Sequence, residues 1–355
     1  MIDTIGVQIL LGENTGELNQ YTLKSSIVEA LTRSRYCGVT NIQEEIGKEL
    51  KITVYLSYPR YFYTDNAFLI KSKEECLTVQ KGFVSMIRQA IGSLNMDENT
   101  VRINLTRVDI PFTYLMEKSE TFNSYLNVFR ILGKIHQITI PKGSVKHWEN
   151  SNQIETIYFC DSQNTSNYNT RICIYNQAKK FQDFYARDKN RLDYIYHNNP
   201  DLNQRIRIEL SKKIRRKPFS LTEFENFDIY SEYVPSYAEY LLEILFNPKA
   251  IERVKENQVQ HLRELLLNSR NSFNFTYESF ILRNEREILD YDILRRAIME
   301  TSYNPNSGYQ GTSTSGKFLL NREKETGILY IDVFKKIESI KKMIASYCKV
   351  KKAKF

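Results

Sequence analysis

The segment Thr100–Thr113 (TVRINLTRVDIPFT) alternates apolar and polar residues over a full strand length, and no other feature narrows the fold as much. A period of two marks a strand with one buried and one open face. The signature recurs at Thr156–Cys160 and Arg171–Tyr175, read as two strands paired across the polar, hairpin-like loop Asp161–Thr170, and again at Arg205–Leu210. Lys51–Tyr63 (KITVYLSYPRYFY) reads as strand, proline turn, strand, with Asn66–Ser72 and Gln137–Pro141 as short further strands. Helices are interleaved: Val79–Leu94, with Val79, Phe83, Ile87 and Ile91 four apart, Ser124–Leu132, and a charged stretch from Asn176 to Tyr196.

After Pro218 the alternation stops. Tyr237–Phe246, Pro248–Asn268 and Tyr291–Met299 read as helices, and Thr301–Gly316 as a loop rich in turn formers. Ile331–Tyr347 reads as a basic amphipathic helix with Val333, Ile337, Ile340 and Ile344 on one side. The expected class is α+β: an antiparallel sheet with helices over residues 1–220, then a mostly helical, basic domain over 221–355. A chain of 355 residues, 41% apolar, suits one large or two ordinary domains.

Charge is concentrated. Phe334–Phe355 holds eight lysines against one glutamate, a net +7 of the chain's +8. A second basic run is Lys212, Lys213, Arg215, Arg216 and Lys217. Two clusters on a near-neutral body suit a docked polyanion, although solvated helix faces also look like this. No run of about 18 apolar residues occurs, and MIDTIGVQILLGENTG has no basic opening, so neither a membrane span nor a secretory signal is expected. Cys37, Cys76, Cys160, Cys173 and Cys348 form no CxxC pair, which suits reduced thiols and a cytoplasmic location.

Three polar residues sit where strands are otherwise apolar: Asp109 in RVDIPF, Tyr175 ending RICIY, and Glu209 in RIRIEL. Each acid alone is more often solvent-facing than functional. Together, two carboxylates and a phenol on one face are a minimal set for metal-assisted phosphodiester cleavage. A divalent cation neutralises the non-bridging oxygens, and hard oxygen ligands such as Asp109 and Glu209 suit Mg2+ or Mn2+. A tyrosine nucleophile retains the bond for later rejoining, and nearby cations lower its pKa. Lys179 and Lys180 follow Tyr175, with Lys179 expected on the phenol's side if a helix starts there.

The order RVD, strand ending in tyrosine, then R-hydrophobic-E-L resembles the replication initiator endonucleases of filamentous phages and related plasmids, as do MIDTI, the passage from the 79–94 helix into NLTRVDI, and the spacing of Trp148-Glu149 before Thr156. The likeness runs from residue 1 to about 230. It implies a rolling-circle nickase in which Tyr175 is the nucleophile, Asp109 and Glu209 are the motif acids, and Arg207 is the motif arginine. It implies origin duplex and single-stranded DNA as partners, a host helicase beside them, and no membrane. Arg107, Arg171, Arg207, the 212–217 run, Lys341, Lys342, Lys351 and Lys352 are the expected DNA contacts. Gln177 stands where the family carries lysine, and Lys179 and Lys180 where it carries an acid.

Other features have commoner structural roles. His136, His147, His197 and His261 include no His-x-His pair, which leaves carboxylates as the metal option. Tyr185, Tyr194 and Tyr196 offer a second nucleophile, and Tyr58, Tyr61 and Tyr63 a base-stacking platform, but packing is the usual task of such residues. Gly311–Lys317 (GTSTSGK) has phosphate-loop spacing without the Ser/Thr or a preceding strand, and reads as a flexible loop beside DNA. Competing functions are a non-catalytic DNA-binding initiator or regulator, a conjugative relaxase with the same chemistry, and an RNA-binding or structural protein.

Overall fold

The computed structural model describes residues 1–11, 17–33, 38–45, 51–63, 65–150, 153–164, 167–270 and 274–348. Eight strands form one sheet: β1 (Thr4–Leu11), β2 (Val39–Glu45), β3 (Lys51–Ser57), β4 (Val101–Leu115), β5 (Ser144–Asn150), β6 (Gln153–Cys160), β7 (Thr170–Asn176) and β8 (Arg205–Lys213). Their spatial order is β2-β3-β1-β4-β8-β7-β6-β5, and every neighbouring pair is antiparallel. The α+β class with a helical C-terminal portion therefore holds. Within the first 220 residues lie α1 (Glu17–Arg33), α2 (Tyr58–Tyr63), α3 (Lys73–Ser93), α4 (Leu126–Thr139), α5 (Gln177–Phe184) and α6 (Lys189–Asn198). Beyond them come α7 (Leu221–Asn226), α8 (Ile229–Leu245), α9 (Pro248–Arg270), α10 (Tyr277–Arg283), α11 (Tyr291–Thr301), α12 (Pro305–Thr326) and α13 (Val333–Ala345). No helix among the described residues is long and apolar enough to cross a membrane.

Register divides the sheet into two unlike faces. Val108, Ile110, Phe112, Ile208, Leu210, Ile172, Ile174, Ile157 and Phe159 share one face and are at most 2% exposed. They join α3, α4, α8 and α13 in one apolar cluster. The other face carries Asp109, Ser211 and Arg171 in one cross-strand row, Glu209 and Cys173 in the next, and Arg207 and Tyr175 in the third. Strand alternation creates the separation, since each of these residues has at least one apolar neighbour in sequence that must point the other way.

The apolar cluster continues past residue 220. Phe224 of α7, Leu241 of α8 and Ile337, Ile340 and Ile344 of α13 are buried in it. A second cluster joins α9 to α12, including Leu262, Leu266, Ile298 and Leu319. The basic 331–347 stretch is thus a helix whose apolar side closes the sheet's own core.

Four local expectations are corrected. Tyr58–Tyr63 is a helix, not a strand; Pro59 in its first turn has a fixed φ suited to a helix start. Asn66–Ser72 has no strand pairing, and Ser72 forms a capping box with Glu75 that starts α3. Gln137–Thr139 is the end of α4 rather than a strand. Thr301–Gly316 is mostly α12: Asn304 caps it, Pro305 opens it, and its small residues admit neighbouring rings. A Cβ on Gly311 would stand 2.5 Å from Cζ of Tyr277, and one on Gly316 would stand 3.0 Å from Cζ of Tyr291. The GTSTSGK stretch is therefore helix interior, and its turn-forming composition serves close packing.

Candidate active site

The polar sheet face is roofed at one end by α5, α6 and the 65–70 segment. Arg191 ties this roof down by bonding Asp65 at 2.5 Å and the Tyr63 carbonyl at 2.9 Å, and Arg205 donates to the Ala67 carbonyl at 2.9 Å. Ala67, Ala178, Phe181, Ile195 and Leu202 form a small apolar cluster beneath. A cavity of about 310 Å³ remains beside the roof, lined by Asp3, Asp109, Glu209, Arg107, Tyr55, Arg60, Lys180 and Tyr185 among others.

Asp109 is 3% exposed and held by Arg107, with Nη2–Oδ2 and Nε–Oδ1 separations of 2.7 Å. Gly6 makes this possible. It lies opposite Arg107 at a register shift, and a Cβ there would come 3.1 Å from Arg107 Cβ and 2.9 Å from Thr106 Oγ1. Burial pushes the Asp109 carboxyl up to about 7; Arg107 opposes the rise and Glu209 adds to it. Asp3, 5% exposed, is likewise raised, first by burial and then by Glu209. Its Oδ1 is buried with no hydrogen-bond partner.

Tyr175 Oη donates to Glu209 Oε2 at 3.3 Å. The ring is 4% exposed, and burial together with Glu209 raises the phenol well above its usual range while Arg207 opposes. A second cavity of about 190 Å³, lined by Tyr175, Cys173, Tyr158, Lys179 and Lys180, reaches the ring from the β6 side. Lys180 lines both cavities and sets its Nζ 4.3 Å from the ring centroid.

Lys180, not Lys179, is therefore the cation beside the phenol. Tyr175 belongs to β7 and α5 begins only at Gln177 behind the Asn176 cap, so the expected i, i+4 relation does not apply. Lys179 turns away to Asp183 at 2.8 Å and Glu155 at 3.9 Å. Gln177 is buried and donates to the Asn66 carbonyl at 3.3 Å.

Arg207, a DNA contact by the sequence expectation, is 0% exposed and cannot reach one. It stands cross-strand from Tyr175, and none of its three guanidinium nitrogens has a hydrogen-bond partner. A buried, unbonded guanidinium is costly unless charges nearby compensate it; Asp3 feels Arg207 directly, and Glu209 faces the same Tyr175 phenol.

The basic 212–217 run is split by alternation. Lys212 falls on the apolar side, over the Tyr240 ring at 3.4 Å, and burial lowers it to about 8. Lys213, Arg215, Arg216 and Lys217 are exposed, and Arg216 lies over Phe219 and Phe227. On α13, Lys341 pairs with Glu338 at 3.1 Å while Lys342 is exposed; Lys351 and Lys352 lie outside the described residues.

Of the alternative tyrosines, Tyr185 lines the acidic cavity, while Tyr196 bonds Gln182 and Tyr194 is largely exposed. Tyr58 is fully buried, Tyr61 packs on Gly82, and Tyr63 lies tilted against Phe68 with ring centroids 4.8 Å apart, so these three pack rather than form an open platform. Among the described residues no group of three His, Cys, Asp or Glu side chains is arranged to hold a metal ion. Sequence reasoning missed Asp3 as a third carboxylate at this cavity. The signal was present as an acid between Ile2 and Ile5 at the head of an apolar strand. Comparison with family models, curated proteins and solved structures finds no match.

Proposed function

We propose that the protein nicks one strand of DNA with Tyr175 and stays joined to the new 5′ end, as a rolling-circle replication initiator does. The observation carrying this reading is the Tyr175 hydroxyl 3.3 Å from Glu209 Oε2, on the sheet face that also bears Asp109. In the cleavage step the phenol oxygen attacks phosphorus and the P–O3′ bond breaks. The phenol proton passes to Glu209, and the departing 3′ oxygen takes up a proton to leave a 3′-hydroxyl and a 5′-phosphotyrosine. Burial keeps the free phenol neutral, so its ionisation is coupled to attack through that carboxylate. Lys180 stabilises the negative charge that develops on the phenol oxygen and phosphate, and the buried Arg207, cross-strand from Tyr175, acts on the phenol oxygen without touching the DNA.

The chemistry of the donors suits a hard cation: three carboxylates border one cavity, and Asp3 Oδ1 lacks a partner. These side chains are not arranged as a ligand set here, so Asp3, Asp109 and Glu209 would hold Mg2+ or Mn2+ only after rotating towards one another, with Asp109 giving up part of its Arg107 pairing. The ion would supply Lewis-acid neutralisation of the phosphate. Origin duplex, a displaced single strand and a host helicase are the partners this reading implies, and a conjugative relaxase would use the same step.

The test is incubation with supercoiled plasmid carrying the element's own origin and Mn2+ or Mg2+. Open circles bearing covalently attached protein are expected from the wild type and not from Tyr175→Phe. Equal nicking by Tyr175→Phe removes the residue from the nucleophile role. Origin binding with no cut under any divalent cation favours a non-catalytic initiator.

A further inference from the structure

The described cations differ in whether the protein already neutralises them. On α13, Lys335 pairs with Asp332, Lys336 with Glu117 and Glu120, and Lys341 with Glu338. Three of that helix's four lysines are thus already paired, with acids next to them in the chain or with Glu117 and Glu120. At the β7–β8 end of the polar sheet face the opposite holds. Arg171 and Lys213 have no carboxylate partner among the described residues, and Arg171 Nε is buried without a hydrogen bond.

Aromatic rings back these cations instead. The Arg171 guanidinium lies 4.7 Å from the Tyr168 centroid and 5.5 Å from that of Tyr158. Lys213 shares the Tyr168 ring, at 5.4 Å from its centroid. Tyr168 is 9% exposed, so it serves as a fixed backing, whereas Arg171 and Tyr158 are half-buried and Lys213 is open. The array adjoins the acidic cavity: Lys213 is the cross-strand neighbour of Arg107, and Arg171 that of Ser211, which is itself opposite Asp109. A planar guanidinium held on an aromatic face offers both a charge for phosphate and a plane for a base.

We infer that a single DNA strand runs from the acidic cavity past Arg107 onto Lys213, Arg171 and Tyr158, with phosphates on the two cations and bases stacked on the guanidinium and Tyr158. The choice of DNA rests on the nicking reading; the location of the track does not. The C-terminal helix contributes less to single-strand affinity than its lysine content suggests, because its lysines exchange existing partners on binding.

The test is fluorescence anisotropy with labelled oligothymidylate of about a dozen nucleotides, without divalent cation so that no cleavage occurs, over a salt series. Arg171→Ala with Lys213→Ala is expected to weaken binding about tenfold and to reduce the salt slope by about 1.4, at roughly 0.7 per lost phosphate contact on single strands. Lys341→Ala with Lys342→Ala should reduce the slope by less than about 0.7. Arg171→Lys keeps the slope but loses affinity a few-fold, which separates stacking from charge. Circular dichroism on each variant confirms folding. An unchanged slope in the first double variant, a larger loss in the second, or no binding by the wild type overturns the track, as does preference for oligouridylate. If the track variants behave as expected while wild type leaves plasmid uncut, the track stands and the nicking reading falls. If wild type nicks and its track variants bind unaltered, the nicking reading stands and the track falls.

Discussion

Replacing Asp109 with asparagine isolates the electrostatic cost of the acidic cavity. In the unfolded chain this carboxyl titrates near 3.8, and in the fold burial holds it up to about 7. Between those values the folded state carries more protons than the unfolded state, so this group's contribution to stability falls as pH rises. At about 1.4 kcal/mol per unit over roughly three units, the loss is on the order of a few kcal/mol by pH 8, an upper figure because rearrangement around the ionised carboxylate reduces the burial penalty. His136 works in the opposite sense across the same range. It is 1% exposed, and burial lowers it from 6.5 to about 4, so its contribution is lost as pH falls through that window. The raw wild-type curve therefore mixes opposed slopes, to which the buried Asp290, raised to about 6, and the Met1 amine, lowered to about 5, also contribute, and the difference between wild type and Asp109→Asn removes the groups common to both. Urea unfolding at unit intervals from pH 4 to pH 8 gives that difference. Wild type should lose stability relative to Asp109→Asn as pH increases, and saturating Mn2+ should flatten the difference above pH 6 if the cavity holds a cation. A flat difference without metal, or one rising with pH, refutes a carboxyl kept protonated by burial.

Three further perturbations follow from the packing. Arg207→Gln leaves Asp3 and Glu209 without their buried counter-charge and should cost on the order of 3 kcal/mol in chemical denaturation, more at pH 8 than at pH 5. Gly311→Ala forces a methyl against the Tyr277 ring, 2.5 Å from Cζ before relaxation, and should lower stability by about 1–3 kcal/mol with a matching drop in Tm. Ile340→Ala, at a 0% exposed position of α13, should cost about 2–5 kcal/mol. Because that residue lies in the sheet's own cluster, near-UV and far-UV circular dichroism should be lost together in one shifted transition; an early, separate loss of helix signal would detach α13 from the sheet.

Alternation alone determined that Asp109, Tyr175 and Glu209 each oppose an apolar face, since Val108 and Ile110, Ile174, and Ile208 and Leu210 leave them no other side. Strand positions β4, β6, β7 and β8, and the long amphipathic helices, were legible for the same reason: the period of two or of 3.6 is local to the chain. Which strands neighbour one another is not local. The order that sets β1 beside β4, and β4 beside β8, brings Asp3 to Asp109 and Glu209, and no spacing in the sequence encodes it. Composition misled where tertiary contact reversed its usual meaning. Glycine and serine in α12 make room for tyrosine rings instead of turns, and lysines on α13 are neutralised by acids as distant in sequence as Glu117. Propensity and net charge are sums over a segment, whereas packing and pairing depend on what the rest of the chain places opposite it.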